Sequence, residues 1–173
     1  MRTIIAICLS ILTTIPSLSQ TPVKWYTIEE AFELTLTQPK KIMIDVYTDW
    51  CSWCKVMDTS TFSNPVIAEY LNRNFYSVKF NAEQKTDVVL NGKTYSYVAS
   101  GRRGYNQLAA ELLNGQLGYP SVVFLDEKMN MIQPVQGYIE PKPFDRIIKF
   151  IGNDAYKSTK WEDFQAGYIS PIQ

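Results

Sequence analysis

Histidine is absent from all 173 residues. That removes Ser-His and Cys-His nucleophilic systems and every zinc site that needs an imidazole. Cysteine is scarce, with only Cys8, Cys51 and Cys54 in the chain. Long apolar runs are missing too: the most apolar stretch, Ile4 to Ile15, is twelve residues, whereas a helix crossing a bilayer needs about 20. Neither sign of charge dominates, since 17 basic residues balance 17 acidic ones, so nothing calls for nucleic acid. Internal repeats and low-complexity tracts are also lacking. What is present, 46% apolar and 20% charged residues, is the composition of a soluble domain with one core.

The first residues set the expected compartment. MRTIIAICLSILTTIPSLSQ carries Arg2 as its only charge, then the short apolar run, then Pro16, Ser17, Leu18 and Ser19. A basic start, a short apolar middle and small residues three and one positions before the cut describe a secretory signal peptide over 1–19, with the mature chain starting at Gln20. A retained anchor is the alternative, and the short run weighs against it. Lipoprotein processing at Cys8 is set aside because Ile7 is not the small residue such a site places beside cysteine. Cleavage removes Arg2 and Cys8. The mature chain is then expected to be periplasmic or secreted, without a membrane span, with one more acidic than basic residue and two cysteines in an oxidising compartment.

Periodicity and capping signals predict an α/β order. A short strand over 23–26 precedes a helix opened by the Thr27/Glu30 capping box and running to about Thr37. KIMIDVYT, 41–48, reads as a central strand covered on both faces. A helix starts at Cys51, is interrupted at Ser63, Asn64 and Pro65, and resumes to about Asn72, and 75–80 is another buried strand. This βαβαβ order predicts parallel pairing with right-handed crossovers. Asn91-Gly92 between 88–90 and 93–97 marks a two-residue hairpin inside an insertion over about 83–104. A helix over 107–114, an antiparallel hairpin of 121–125 with 131–136, and a helix from Pro143 to Gly152 complete a domain of 20–152. Trp161, Phe164 and Tyr168 predict that the extension 153–173 packs on it.

Cys51 and Cys54 can pair only with each other within one mature chain. A disulfide closing so short a loop constrains the unfolded chain little, so redox chemistry is a better reason for the pair than stability. By itself the CxxC spacing also admits a metal knuckle or an inert bridge. Its context, a buried strand running into a helix, is the setting of a thioredoxin-like redox motif. There the unpaired N–H groups and dipole of the helix start favour a thiolate at Cys51, and Lys55 adds an activating cation. Cys54, a turn further in, is the expected resolving thiol.

IDVYTDWCSWCK resembles the thioredoxin active-site segment: an acid six positions before the first cysteine, Trp50 before it and Lys55 after the second. GYPSVVFLD resembles that family's cis-proline strand, and TFSNPVIAEYLNRNFYSVKFNAE is most similar to a thioredoxin-like subgroup of secreted and domain-of-unknown-function proteins. The resemblance covers about Val23 to Gly152 and implies a thioredoxin fold, a central mixed sheet flanked by helices. It also implies a cis Pro120 presenting the Tyr119 backbone to an extended client strand. Asp45 would be a buried acid taking the proton of Cys54, although a solvated edge position would account for it without catalysis. Trp50, Trp53 and Tyr119 would contact substrate, Trp53 having packing on the helix as its alternative. Tyr95, Tyr97, Arg102, Arg103 and Tyr105 offer either a contact surface or merely a solvated turn.

Two functions remain in play. One is a cell-envelope oxidoreductase with no dissociable cofactor and no metal, reducing disulfides of protein substrates and leaving room for an upstream membrane electron donor. The other is a non-catalytic binding module on the same fold. Within the first, Ser52 and Trp53 between the cysteines, with no histidine to stabilise a thiolate, argue for the reducing end of the range.

Overall fold

A computed structural model describes residues 21–173; the expected leader, with Cys8, lies outside the described residues. Strands β1 (Trp25–Tyr26), β2 (Lys41–Tyr47), β3 (Phe75–Asn81), β8 (Ser121–Leu125) and β9 (Met131–Gln136) form one sheet in the order β1-β3-β2-β8-β9. β1 and β2 each pair parallel with β3, while β8 runs antiparallel to both β2 and β9. The sheet is therefore mixed, with β2 at its centre. Six of the seven β2 residues are buried, which is why its sequence lacks the alternation of a half-exposed strand.

Alternate β2 residues face two cores. Ile42, Ile44 and Val46 pack with Ile28 and Ala31 of α1 (Ile28–Thr37), Leu108 and Leu112 of α4 (Gln107–Leu112), and Val88 and Tyr95. Val88 and Tyr95 belong to the hairpin β4 (Val88–Leu90) and β5 (Lys93–Tyr95). Met43 faces the other way, toward Met57 of α2 (Ser52–Met57), Ile67 and Leu71 of α3 (Pro65–Asn74), and Phe144 and Ile148 of α5 (Pro141–Gly152). Helix α1 starts with the full capping box, Thr27 and Glu30 each accepting from the other's backbone N–H.

Three elements differ from the sequence expectation. Between α2 and α3 the chain widens into a π-helical segment, Asp58–Phe62. Thr59 and Ser60 there donate to carbonyls at 55 and 56, and Ser63 to that of Thr59, and such back-bonding competes with the regular ladder. Helix α5 begins at Pro141, not Pro143. Both prolines fall in the first turn, where a missing N–H breaks no helical bond. Strand β5 ends at Tyr95, and the chain then forms a second small ladder, β6 (Tyr97–Val98) with β7 (Tyr105–Asn106).

After α5 the chain forms a short 3-10 turn, Ala155–Lys157, and helix α6 (Trp161–Gly167). Phe150 of α5 meets the rings of Trp161 and Phe164 at centroid distances of 5.2 and 5.1 Å. The buried carboxylate of Asp145 accepts from Tyr168 Oη (2.9 Å) and Ser170 Oγ (2.6 Å). Among the described residues no helix is long and apolar enough to cross a membrane.

Candidate functional site

The site is built where β2 leaves the sheet. A turn over 48–50 is closed by the Cys51 N–H donating to the Thr48 carbonyl (3.1 Å), and Cys51 becomes the N-cap of α2. Its Sγ accepts from the Cys54 N–H at 3.1 Å. Sulfur thus occupies the capping position that oxygen of Ser or Asp usually takes, a place that favours negative charge. Cys51 and Cys54 are joined by a disulfide with their Cα atoms 5.3 Å apart. Exposure does not separate them in this oxidised state, at 5% for Cys51 and 2% for Cys54. The asymmetry lies in the cap bond.

Pro120 immediately precedes β8, and the Tyr119–Pro120 peptide bond is cis. Tyr119 meets the Trp50 ring edge-on at 6.1 Å. Burial, with the charge of Glu83 adding to it, pushes the Tyr119 phenol up to about 12, so it stays a neutral hydrogen-bonding group. Trp53 is 58% exposed and lies 5.2 Å from the ring of Tyr138, a residue of the segment between β9 and α5 rather than of its own helix. Trp53, Tyr119, Pro120, Gly137 and Tyr138 line an open cleft of about 270 Å³.

Asp45 is 1% exposed on the central strand, so the solvated-edge reading does not apply. Strand alternation puts it on the Met43 face, the face covered by α2 and α3. The register of β2 with β3 sets it opposite Lys79. The Lys79 ammonium donates to Asp45 Oδ2 at 2.5 Å and also to Asp58 of the π-helical segment. The same ammonium lies over the rings of Trp25, Tyr47 and Phe62 at 5.0 to 5.5 Å. Burial raises the Asp45 carboxyl to about 6 against the opposing pull of Lys79. For Lys79, burial works against the charge, but Asp45 and Asp58 outweigh it and hold the ammonium above its ordinary value. Asp45 Oδ1 has no hydrogen-bond partner, which leaves one oxygen of the buried acid uncommitted.

The structure thus gathers Trp50, Cys51, Trp53, Cys54, Tyr119 and Pro120 at one end of the sheet, with Asp45 inside it. Lys55 is exposed and forms no ion pair among the described residues, so any help to Cys51 would be through space. Lys79, Asp58 and Tyr138 escaped sequence reasoning. A lysine inside the buried run FYSVKF was a readable signal, since a charge there needs a partner; Tyr138 gave none. No group of three or more cysteine or acidic side chains among the described residues is arranged to hold a metal ion.

Spermatogenesis-associated protein 20 of Rattus norvegicus is 38% identical over 68 residues, 39% of this chain and 9% of that protein. The thiol:disulfide interchange protein DsbD of Pectobacterium atrosepticum is 30% identical over 108 residues, 61% of this chain and 15% of that protein. The chain thus spans only a small part of these relatives. Among solved structures, one described as DsbH oxidoreductase superposes with a TM-score of 0.56 at 17% identity, covering 82% of this chain and 92% of that one. That likeness establishes the thioredoxin fold. The family model Thioredox_DsbH, described as protein of unknown function, DUF255, matches residues 14–162, and to that family this chain belongs.

Proposed function

We propose that this protein is a thiol-disulfide oxidoreductase of the cell envelope that reduces protein disulfides. The observation that carries the reading is the Cys51–Cys54 disulfide capping α2 at the end of the buried β2 strand, beside the cleft of Trp53, Tyr119 and Pro120. The reduced protein attacks with the Cys51 thiolate on a client disulfide. A bond forms from Cys51 Sγ to one client sulfur while the client S–S bond breaks, and the other client sulfur leaves as a thiolate that takes a proton from water. Cys54 then gives its proton toward Asp45 and attacks Cys51 Sγ, so the mixed disulfide breaks, the second client sulfur leaves and the Cys51–Cys54 bond closes. Two electrons have passed to the client. An acid titrating near 6 suits this step, because it accepts a proton readily near neutral pH and returns it easily. Trp50, Trp53, Tyr119 and Pro120 hold the client chain, and Lys55 adds positive charge near the helix start.

The envelope assignment rests on the leader-like first 19 residues, and the reducing direction on Ser52 and Trp53 between the cysteines. Reduction of insulin by dithiothreitol should accelerate clearly with catalytic amounts of the protein. A rate no faster than dithiothreitol alone would leave a thioredoxin-fold binding module instead. Equilibration with glutathione should give a potential more negative than about −180 mV, and a higher value would make the protein an oxidant.

A further inference from the structure

The residue before the nucleophile is held by the insertion. Glu83 Oε1 accepts from Trp50 Nε1–H at 2.9 Å, and the guanidinium carbon of Arg103 lies 4.1 Å from the centroid of the same ring. Both residues come from the segment between β3 and α4, at its two ends. Arg103 is not on a loose loop. Its N–H donates to the Ser100 carbonyl (3.1 Å), the next N–H, of Gly104, donates to Tyr97 Oη (2.9 Å), and the turn stands on the β6–β7 ladder. Buried Asn106 anchors that ladder by donating through Nδ2 to the carbonyls of Thr86 (3.3 Å) and Tyr95 (3.2 Å), and its N–H reaches Ala82 O (2.7 Å).

The charge so placed is unspent. Arg103 is exposed, and among the described residues neither it nor Arg102 pairs with a carboxylate. A guanidinium lying on an indole keeps its in-plane N–H donors free, in the fork that fits a carboxylate. Glu83 is half-buried and turned to the ring nitrogen, so the face of Trp50 presents the cation. The cleft lined by Trp53, Tyr119, Pro120, Gly137 and Tyr138, by contrast, has no charged side chain among those lining residues. The Trp50 face and the Trp53 cleft therefore offer different chemistry to a client chain.

We infer that the arm carrying Arg103 selects clients, favouring protein segments with an acidic side chain next to the disulfide cysteine on the Trp50 side. This rests on the proposed reductase activity and adds a specificity to it. The carboxylate bonds the guanidinium while the cysteine sulfur lies against Cys51. Because Arg103 is fixed on the Trp50 ring, little side-chain freedom is lost when the client binds.

The test uses the full chain in its reduced state and three disulfide-linked peptides identical except for the residues flanking each cysteine, which are Glu, Gln or Lys. Rates of disulfide reduction should fall in the order Glu, Gln, Lys, with Glu over Gln by about five-fold at low salt, and the preference should shrink as ionic strength rises. In Arg103→Gln the Glu-to-Gln ratio should drop to near one, and Arg103→Lys should retain part of it. Ratios taken within one variant cancel any general change in activity. Equal rates for all three peptides with the unaltered chain, or a preference that persists in Arg103→Gln, would overturn the inference and leave the reductase reading intact. If no peptide is reduced at all, the proposed activity itself fails.

Discussion

Asp45 sits in the core at a cost that can be measured. Its carboxyl titrates near 6 in the folded chain against an ordinary value of 3.8, because burial disfavours the charge more than Lys79 restores it. Between about pH 4 and 6 the folded state therefore binds more protons than the unfolded state, and stability declines as pH rises through that window, then stays at the lower level. Asp45→Asn removes this penalty. Urea unfolding of the oxidised protein at pH 7.5 should find Asp45→Asn more stable by on the order of 1–3 kcal/mol, with the difference vanishing below pH 4. A variant less stable than the parent at pH 7.5 would mean that the Lys79 ion pair outweighs the burial. If Asp45 takes the Cys54 proton as proposed, the same substitution should also slow the second exchange.

At the scale of elements, the insertion depends on one glycine. A Cβ at Gly104 would run into the tip of the Tyr97 ring, which can swing aside, and into the Val98 carbonyl oxygen, backbone of β6 that cannot give way without disturbing the β6–β7 ladder. Gly104→Ala should therefore cost about 1–3 kcal/mol of local stability. Hydrogen exchange should reveal it as faster exchange of the amides at Asn106 and Gln107, which donate to the carbonyls of Ala82 and Ser96, with β2 and β3 unchanged. Unaltered protection at those two amides would show that the arm tolerates the methyl group. Helix α5 and the tail are joined differently, through Asp145 and the Phe150, Trp161 and Phe164 rings, so they should not respond.

Over the whole molecule, what could be read in advance was local. The Thr27/Glu30 box, the mostly apolar run of β2 around Asp45, and Asn91-Gly92 between β4 and β5 each carry their own signal within a few residues, and so does the CxxC at a strand end. What escaped was relational. Lys79 meets Asp45 only through the parallel register of β2 and β3, Asp58 joins them only because the helix widens after Met57, and Arg103 reaches Trp50 only across a ladder of two residues a strand. No periodicity encodes such meetings. Sequence alone does not separate Pro141 from Pro143 as the start of α5, because both are acceptable in a first turn. The central claim, that Cys51 attacks and Cys54 resolves, is most directly tested by trapping. Reduced Cys54→Ser and Cys51→Ser chains are mixed with insulin, quenched with acid, alkylated and run on a non-reducing gel. The cap position of Cys51 predicts that Cys54→Ser accumulates a disulfide-linked adduct and Cys51→Ser forms little or none, whereas equal trapping by both, or trapping by Cys51→Ser alone, would contradict it.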